Sequence, residues 1–494
     1  MSIFTARGAD VKTDVLSRAH LSARAAVYQK VSSNMKEKIK EYFSLHRQEL
    51  IDDIADLVSI PSVRSEAAEG KPFGESTYAA LEKALEMAEK YGFETKNYDG
   101  YAGSADYNNK GTELNIFAHL DVVAAGEGWN TPPFEMTIKD DILYGRGVSD
   151  DKGPALAALY AMRALKESGV ELSKNVRLVL GTDEECGSSD LKYYFTKEKA
   201  APWSFTPDAN FPVTNGEKGR FSKFFYGKFN DINATRCIKN FRGGVAGNAV
   251  PAVCEAEVCG LTDEEIITIA ETVKEETKAD FEVSEGRIIC KGTSAHASLP
   301  FMGNNPITAM LKLLNTLPLD ECGSTDKIEK LASLFPHGDW KGKAFGVEME
   351  DSLGELTLSL DILEMGNGKI KGFFDTRTPM KANSQNCAEI IEAAFNTNGF
   401  SLRNNCMIPA HYVDESSPFI QTLLKNYEEV TGEKGECIAM GGGTYVHNVE
   451  GGVAFGAIAR DVNTNMHGSD EFMPVDDLIK AAEIYAGVIY DMCK

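Results

Sequence analysis

Two apolar runs, Leu114-Asn115-Ile116-Phe117-Ala118 and Asn175-Val176-Arg177-Leu178-Val179-Leu180, constrain this chain more than any other feature. Near-continuous apolar segments of this kind are strands buried on both faces of a parallel sheet. Helical patterns surround them. An amphipathic stretch runs from about Asn34 to Val58 and is stopped by Ile60-Pro61. A second covers Ser76 to Lys90, and a third, rich in Ala and Leu, covers Gly153 to Glu167. Further strands are expected at Phe93–Asn97, Ile142–Tyr144 and Gly452–Ile458, with helices at Ser417–Val430 and Val475–Met492. Strand alternating with helix predicts an α/β fold: a mixed sheet flanked by helices, with its chemistry at the strand carboxyl ends.

The pattern changes after about Asn215. From there to about Pro409 the strands alternate apolar and polar residues, as in Val253–Cys259, Glu355–Leu363 and Lys371–Asp375, with helices at Asp263–Thr277 and Asn305–Thr316. Alternation marks half-exposed sheets. The reading is one α/β domain, residues 34–215 and 411–494, interrupted by an inserted α+β lid domain, residues 216–410. Residues 1–33 are polar with scattered Arg and are read as an N-terminal extension.

Composition narrows the function. The 494 residues carry 51 Lys and Arg against 74 Asp and Glu, a net charge of −23, which argues against nucleic acid or an anionic membrane as partner. No stretch approaches the roughly 18 consecutive apolar residues of a membrane span. The N-terminal residues show no apolar core followed by a cleavage site, so a cytoplasmic protein is expected. The 10 cysteines are too sparse for a disulfide scaffold, none forms a CxxC pair, and buried reduced thiols are expected.

Five short motifs carry candidate chemistry. The first apolar strand ends in His119-Leu120-Asp121, and the second in Gly181-Thr182-Asp183-Glu184-Glu185. Between them lies Gly145-Arg146-Gly147-Val148-Ser149-Asp150-Asp151-Lys152-Gly153-Pro154; Thr206-Pro207-Asp208 and His467-Gly468-Ser469-Asp470-Glu471 follow. Each has an ordinary reading alone: a surface His-x-Asp, a solvated turn with an N-cap, acids at a helix N-terminus. Together they are more specific. Two imidazoles and three carboxylates are what two divalent metals sharing one bridging carboxylate require, and a spare Glu beside a ligand Glu supplies a base.

In this order the motifs resemble those of the co-catalytic zinc peptidases and deacylases, the family of aminoacylase, the ArgE and DapE deacylases, glutamate carboxypeptidase and carnosinase. Within it, the long insertion and the signatures Asp150-Asp151-Lys152-Gly153-Pro154, Phe205-Thr206-Pro207-Asp208, Gly441-Gly442-Gly443-Thr444-Tyr445 and Val453-Ala454-Phe455-Gly456 are similar to the PepV-like dipeptidase branch. The resemblance covers about residues 34 to 494.

It implies roles residue by residue. Asp150 bridges two metals; His119 and Asp208 complete one site, and Glu185 and His467 the other. Asp121 orients His119, Glu184 is the general base, and a cis peptide follows Asp150. In the insertion, Gly292-Thr293-Ser294-Ala295-His296-Ala297-Ser298 matches a family signature whose His reaches the scissile carbonyl. Asn248 and Arg377 match residues that hold the substrate carboxylate, a task suited to a guanidinium fork. Gly443 and Thr444 line the pocket. The activity implied is hydrolysis of dipeptides by a two-metal-activated water, with an N-acyl-amino-acid deacylase as the alternative and an inactive metal-binding protein as the third reading. The cofactors implied are two divalent ions, Zn²⁺ first, with Mn²⁺ or Co²⁺ as other occupants. A monomer is preferred over a homodimer, because the enlarged insertion stands in for the partner.

Overall fold

A computed structural model describes residues 35–403 and 406–494; the expected N-terminal extension, 1–33, lies outside the described residues. Two compact units divide the chain. The first comprises the described residues up to Asn215 together with Val413–Ile438 and Thr444–Lys494; the second is Gly216–Tyr412 with Ala439–Gly443. The five residues Ala439–Gly443, read from the sequence as part of the α/β domain, group with the second unit instead.

The first unit is built on a mixed sheet. Thr112–His119 lies at its centre, parallel to Asn175–Gly181 on one side and to Trp203–Thr206 on the other, and Gly452–Ala454 runs parallel to Trp203–Thr206. Glu94–Tyr98 and Ala102–Asp106 form an antiparallel edge beside Asn175–Gly181. The central strands are buried over nearly their whole length, as their apolar runs require. Register pairs His119 with Gly181 and Ile116 with Phe205, so three strands end at the same edge.

Helices cover this sheet. Lys152–Glu167 has 14 of its 16 residues buried and packs in the same core as Val475–Cys493 and the helix over residues 35–58. Its first residue is informative. Lys152 is 0% exposed and its ammonium donates to the carbonyls of Leu57 and Ile60, at 2.9 and 2.7 Å, where the 35–58 helix ends. These carbonyls lie where the helix runs out of intrahelical donors, and each also accepts one backbone N–H, from Ile60 and Ser62. Burial pushes this amine down to about 7. Glycine is required beside it: a Cβ on Gly153 would sit 2.1 Å from the Val148 carbonyl oxygen. The peptide bonds Asp150–Asp151 and Phe211–Pro212 are cis.

The second unit is an antiparallel sheet in the order Asp280–Ser284, Arg287–Lys291, Val253–Val258, Ile238–Gly243, Thr357–Gly366, Lys369–Thr378, Lys223–Lys228, Phe400–Leu402. One face is packed by Asp263–Thr277, Pro306–Thr316, Gly323–Leu334 and Glu389–Thr397 through Ile266, Leu311, Leu331 and Phe395. Alternation along Val253–Val258 places Cys254, Ala256 and Val258 in that core and leaves Val253 and Glu257 exposed. Among the described residues no helix is long and apolar enough to cross a membrane.

Candidate metal centre and active site

The carboxyl ends of the parallel strands deliver the charged residues of the first unit. His119 is the last residue of Thr112–His119, Glu184 and Glu185 form a 3₁₀ turn after Asn175–Gly181, and Asp208 follows Trp203–Thr206. Asp150 comes from the loop before the Lys152–Glu167 helix, and His467 from the loop before Phe472–Pro474.

Asp150 stands between the two imidazoles. Its Oδ1 is 3.0 Å from His119 Nε2, and its Oδ2 is 3.0 Å from His467 Nε2. Asp208 Oδ2 lies 3.7 Å from His119 Nε2, and Glu185 Oε1 lies 3.3 Å from His467 Nε2. Ligand atoms of His119, Asp150 and Glu185 fall within 4.8 Å of one another, as do those of His119, Glu184 and Asp208. The structure thus brings together all five residues read as ligands and adds Glu184 to the His119 and Asp208 group.

Two features make this a place for cations. His119 Nε2 and Glu185 Oε1 are buried without a hydrogen-bond partner, although both face charged neighbours. Neither atom is satisfied in ordinary hydrogen-bond geometry within the protein. Electrostatics agrees with geometry. Burial disfavours a charged His119, yet the Asp121, Asp150 and Asp208 carboxylates raise its pKa well above the usual imidazole range. Asp150 and Glu185 lift His467 to about 10. Burial, joined by the Asp208 and Glu185 charges, pushes Glu184 well above the ordinary carboxylate range. Four carboxylates that force protons onto two imidazoles call for positive charge, and a nitrogen and oxygen donor set suits divalent ions.

Asp121 is fully buried and does more than face an imidazole. Its Oδ1 and Oδ2 accept the backbone N–H groups of Glu184 and Glu185, each at 3.1 Å. His119 Nδ1 meets the Asp121 carbonyl oxygen at 2.9 Å and its carboxylate only at 3.5 Å. The imidazole is therefore oriented mainly by the backbone of Asp121, while the side chain fixes the Glu184–Glu185 turn. Asp151, adjacent to Asp150, accepts the His119 backbone N–H at 3.0 Å. Thr444 is buried at the start of the turn Tyr445–Asn448, and the Tyr445 ring meets His119 edge-on at 6.1 Å.

The remaining candidates belong to the second unit. His296 pairs with Ala249 across a two-residue ladder, which sets it beside exposed Asn248, whose carbonyl accepts the Ala297 N–H at 2.8 Å. His296 Nδ1 lies 2.7 Å from Ser298 Oγ. Arg377 is buried and largely committed: Nε and Nη2 donate to Asp375 at 2.7 and 3.1 Å, and Nη1 donates to the Gly441 carbonyl at 2.7 Å. Three of its five N–H groups are thus committed, and one of them anchors the glycine loop in which exposed Gly443 lies.

Sequence reasoning missed Glu471 and Arg146 as parts of the centre. Both lie inside motifs singled out above, and the available signal was their nearness to His467 and Asp150. Glu471 is 0% exposed and accepts from Arg146 Nη1 at 2.7 Å.

A mixed sheet whose parallel ends gather two imidazoles and four carboxylates defines an α/β protein with a candidate centre for divalent cations. Comparison with known proteins specifies it. Residues 116–491 match the model of peptidase family M20/M25/M40, so the chain belongs to that family and is a peptidase. It is 35% identical over 459 residues to YtjP of Bacillus subtilis (strain 168), provisionally named a dipeptidase, covering 91% of this chain and 98% of that one. It is 34% identical over 469 residues to the Beta-Ala-Xaa dipeptidase of Lactobacillus delbrueckii subsp. lactis, covering 93% and 99%. The crystal structure of human carnosine dipeptidase 1 shares the fold with a TM-score of 0.58 at 17% identity, over 93% of this chain and 98% of that one.

Proposed function

We propose that this peptidase is a metal-dependent dipeptidase that cleaves the peptide bond of free dipeptides. The observation that supports it most is Asp150, 3.0 Å from both His119 and His467, with Glu185 in its group and Glu184 in the second group that shares His119. His119, Asp208, Glu185 and His467 would hold two divalent ions, with Asp150 shared between them. Bound there, such ions polarise a carbonyl and acidify water towards a pKa of about 7. Glu184 then takes the proton of the attacking water on a carboxylate oxygen and returns it to the leaving amine. Its raised pKa suits that exchange, because burial and the neighbouring carboxylates make Glu184 a stronger proton acceptor than an ordinary carboxylate. Asp121 holds the backbone from which Glu184 projects. By the family resemblance His296 is the proposed oxyanion donor, an interaction of about 2.7–4 kcal/mol where one such donor has been removed. By the same resemblance Asn248, Arg377, Gly443 and Thr444 are the residues proposed for the substrate carboxylate and backbone. The two N–H groups that Arg377 does not commit to Asp375 and Gly441 are enough for a fork contact.

The dipeptide assignment draws on the dipeptidase names of relatives at 34–35% identity. A mass-spectrometric hydrolysis panel of free dipeptides, tripeptides and N-acetyl amino acids tests it. Cleavage of the dipeptides alone is expected. Cleavage confined to the N-acetyl substrates would make the chain a deacylase.

A further inference from the structure

Glu471 belongs to neither ligand group, yet its carboxylate sits where the loop that carries Asp150 meets the loop that carries His467. Phe472 pairs with Tyr144 where two antiparallel strands end, and the Gly145 N–H donates to the Glu471 carbonyl at 3.0 Å. Beyond that pair one chain runs on to Asp150, and the other comes from His467. The Glu471 side chain closes the gap. Oε1 accepts the backbone N–H of Gly147, Ser149 and Asp150 at 3.1, 2.9 and 3.2 Å, and the Ser149 hydroxyl at 3.0 Å. Oε2 accepts the Gly147 N–H at 3.1 Å and Arg146 Nη1 at 2.7 Å. Arg146 Nη2 in turn donates to the Gly468 carbonyl at 2.9 Å, next to His467.

A buried ion pair that served stability alone would need only Arg146. Here most of the donors are the peptide N–H groups of one loop, curled around the carboxylate as a backbone nest curls around an anion. The last of them is the N–H of Asp150 itself. Arg146 neutralises the carboxylate, so the pair adds no net charge to the centre and its contribution is geometric. We propose that Glu471 is a positioning residue: it fixes the backbone from which Asp150 projects and, through Arg146, the loop that carries His467, so that both face the same cations. This inference rests on the reading that Asp150 and His467 hold metal.

The test is metal binding, read without turnover. Metal-free wild type, Glu471→Gln, Glu471→Asp and Asp150→Asn are titrated with Zn²⁺ against a chromophoric chelator, and with Co²⁺ while its visible spectrum is followed. Circular dichroism establishes folding at the same temperature. Glu471→Gln places an amide N–H₂ among donors. Glu471→Asp keeps the charge, withdraws the carboxylate by one methylene, and serves if the Gln variant does not fold. Both are expected to lose about 10–100-fold in Zn²⁺ affinity and to change the Co²⁺ spectrum, the range typical of residues that orient metal ligands. A folded Glu471 variant that binds Zn²⁺ within twofold of wild type, with an unchanged Co²⁺ spectrum, overturns the inference. If Asp150→Asn also binds like wild type, the metal reading itself falls; if Asp150→Asn loses binding, only the role of Glu471 does.

Discussion

Asp361 offers a quantitative test of the second unit. Its side chain is 0% exposed in the strand Thr357–Gly366; Ser359 Oγ donates to Oδ1 at 2.6 Å, and Oδ2 is buried without a partner. Burial, aided by the Asp375 charge, raises its pKa from 3.8 to about 8. A carboxyl whose folded pKa lies above its unfolded value binds its proton more tightly in the native state. Its stabilising contribution is therefore complete below about pH 4 and is lost as pH rises through about 8. At 1.36 kcal/mol per pH unit, that loss amounts to about 4 kcal/mol between pH 5 and pH 9. Asp361→Asn keeps the shape and the Ser359 contact but cannot ionise. The perturbation is read by denaturant unfolding of wild type and variant at several pH values, using a signal assigned to the second unit. The advantage of the Asn variant is expected to grow by about 4 kcal/mol from pH 5 to pH 9. A stability difference that stays constant within about 1 kcal/mol would refute the reasoning, because one pH unit of linkage is already larger.

Three further outcomes follow from other contacts. Gly153→Ala forces a Cβ to within 2.1 Å of the Val148 carbonyl, so the loop carrying Asp150 must move; a lower melting temperature together with weaker metal binding is expected. Thr262 and Glu265 form a capping box on Asp263–Thr277, and Thr262→Ala is expected to cost about 0.5–2 kcal/mol in denaturant unfolding. Glu184→Gln is expected to lower kcat by about 10²–10⁴ with metal content retained, as elemental analysis of the variant would report. Loss of metal alongside activity would instead assign Glu184 to ligation.

Much of the catalytic unit was legible because buried parallel strands write themselves as apolar runs, and a run that ends in charge announces a strand end. His119, Glu184 and Glu185 were found that way, and the parallel register that aligns His119 with Gly181 explains why the motifs converge. Other elements left weaker traces. Ala102–Asp106 is a buried strand of small residues, Ala-Gly-Ser-Ala-Asp, that reads as a loop; a Cβ on Gly103 would meet Leu85 and Leu81 at 2.8 and 2.9 Å, so smallness there reflects close packing. Trp203–Thr206 is too short for any period to register. The expected strand Gly452–Ile458 is regular only over Gly452–Ala454, after which Ile458 joins Asn210 through an isolated bridge. Gly323–Leu334 begins on a glycine behind a cysteine cap, without the usual start signal. Glu471 was hidden for a different reason. Four polar residues and a glycine, His467 to Glu471, give no sign of which one folds inward, and only the pairing of Phe472 with Tyr144 decides it. Arg377 was legible as a charge but not as one already bonded to Asp375 and Gly441.

In the proposed dipeptidase, hydrolysis would depend on two cations held around Asp150. The most direct test is a titration of the metal-free enzyme with Zn²⁺ or Mn²⁺ while dipeptide cleavage is followed. Negligible cleavage is expected without metal, full activity near two equivalents, and none at any metal concentration for Asp150→Asn. Cleavage that survives exhaustive chelation, or full activity in Asp150→Asn, would contradict it.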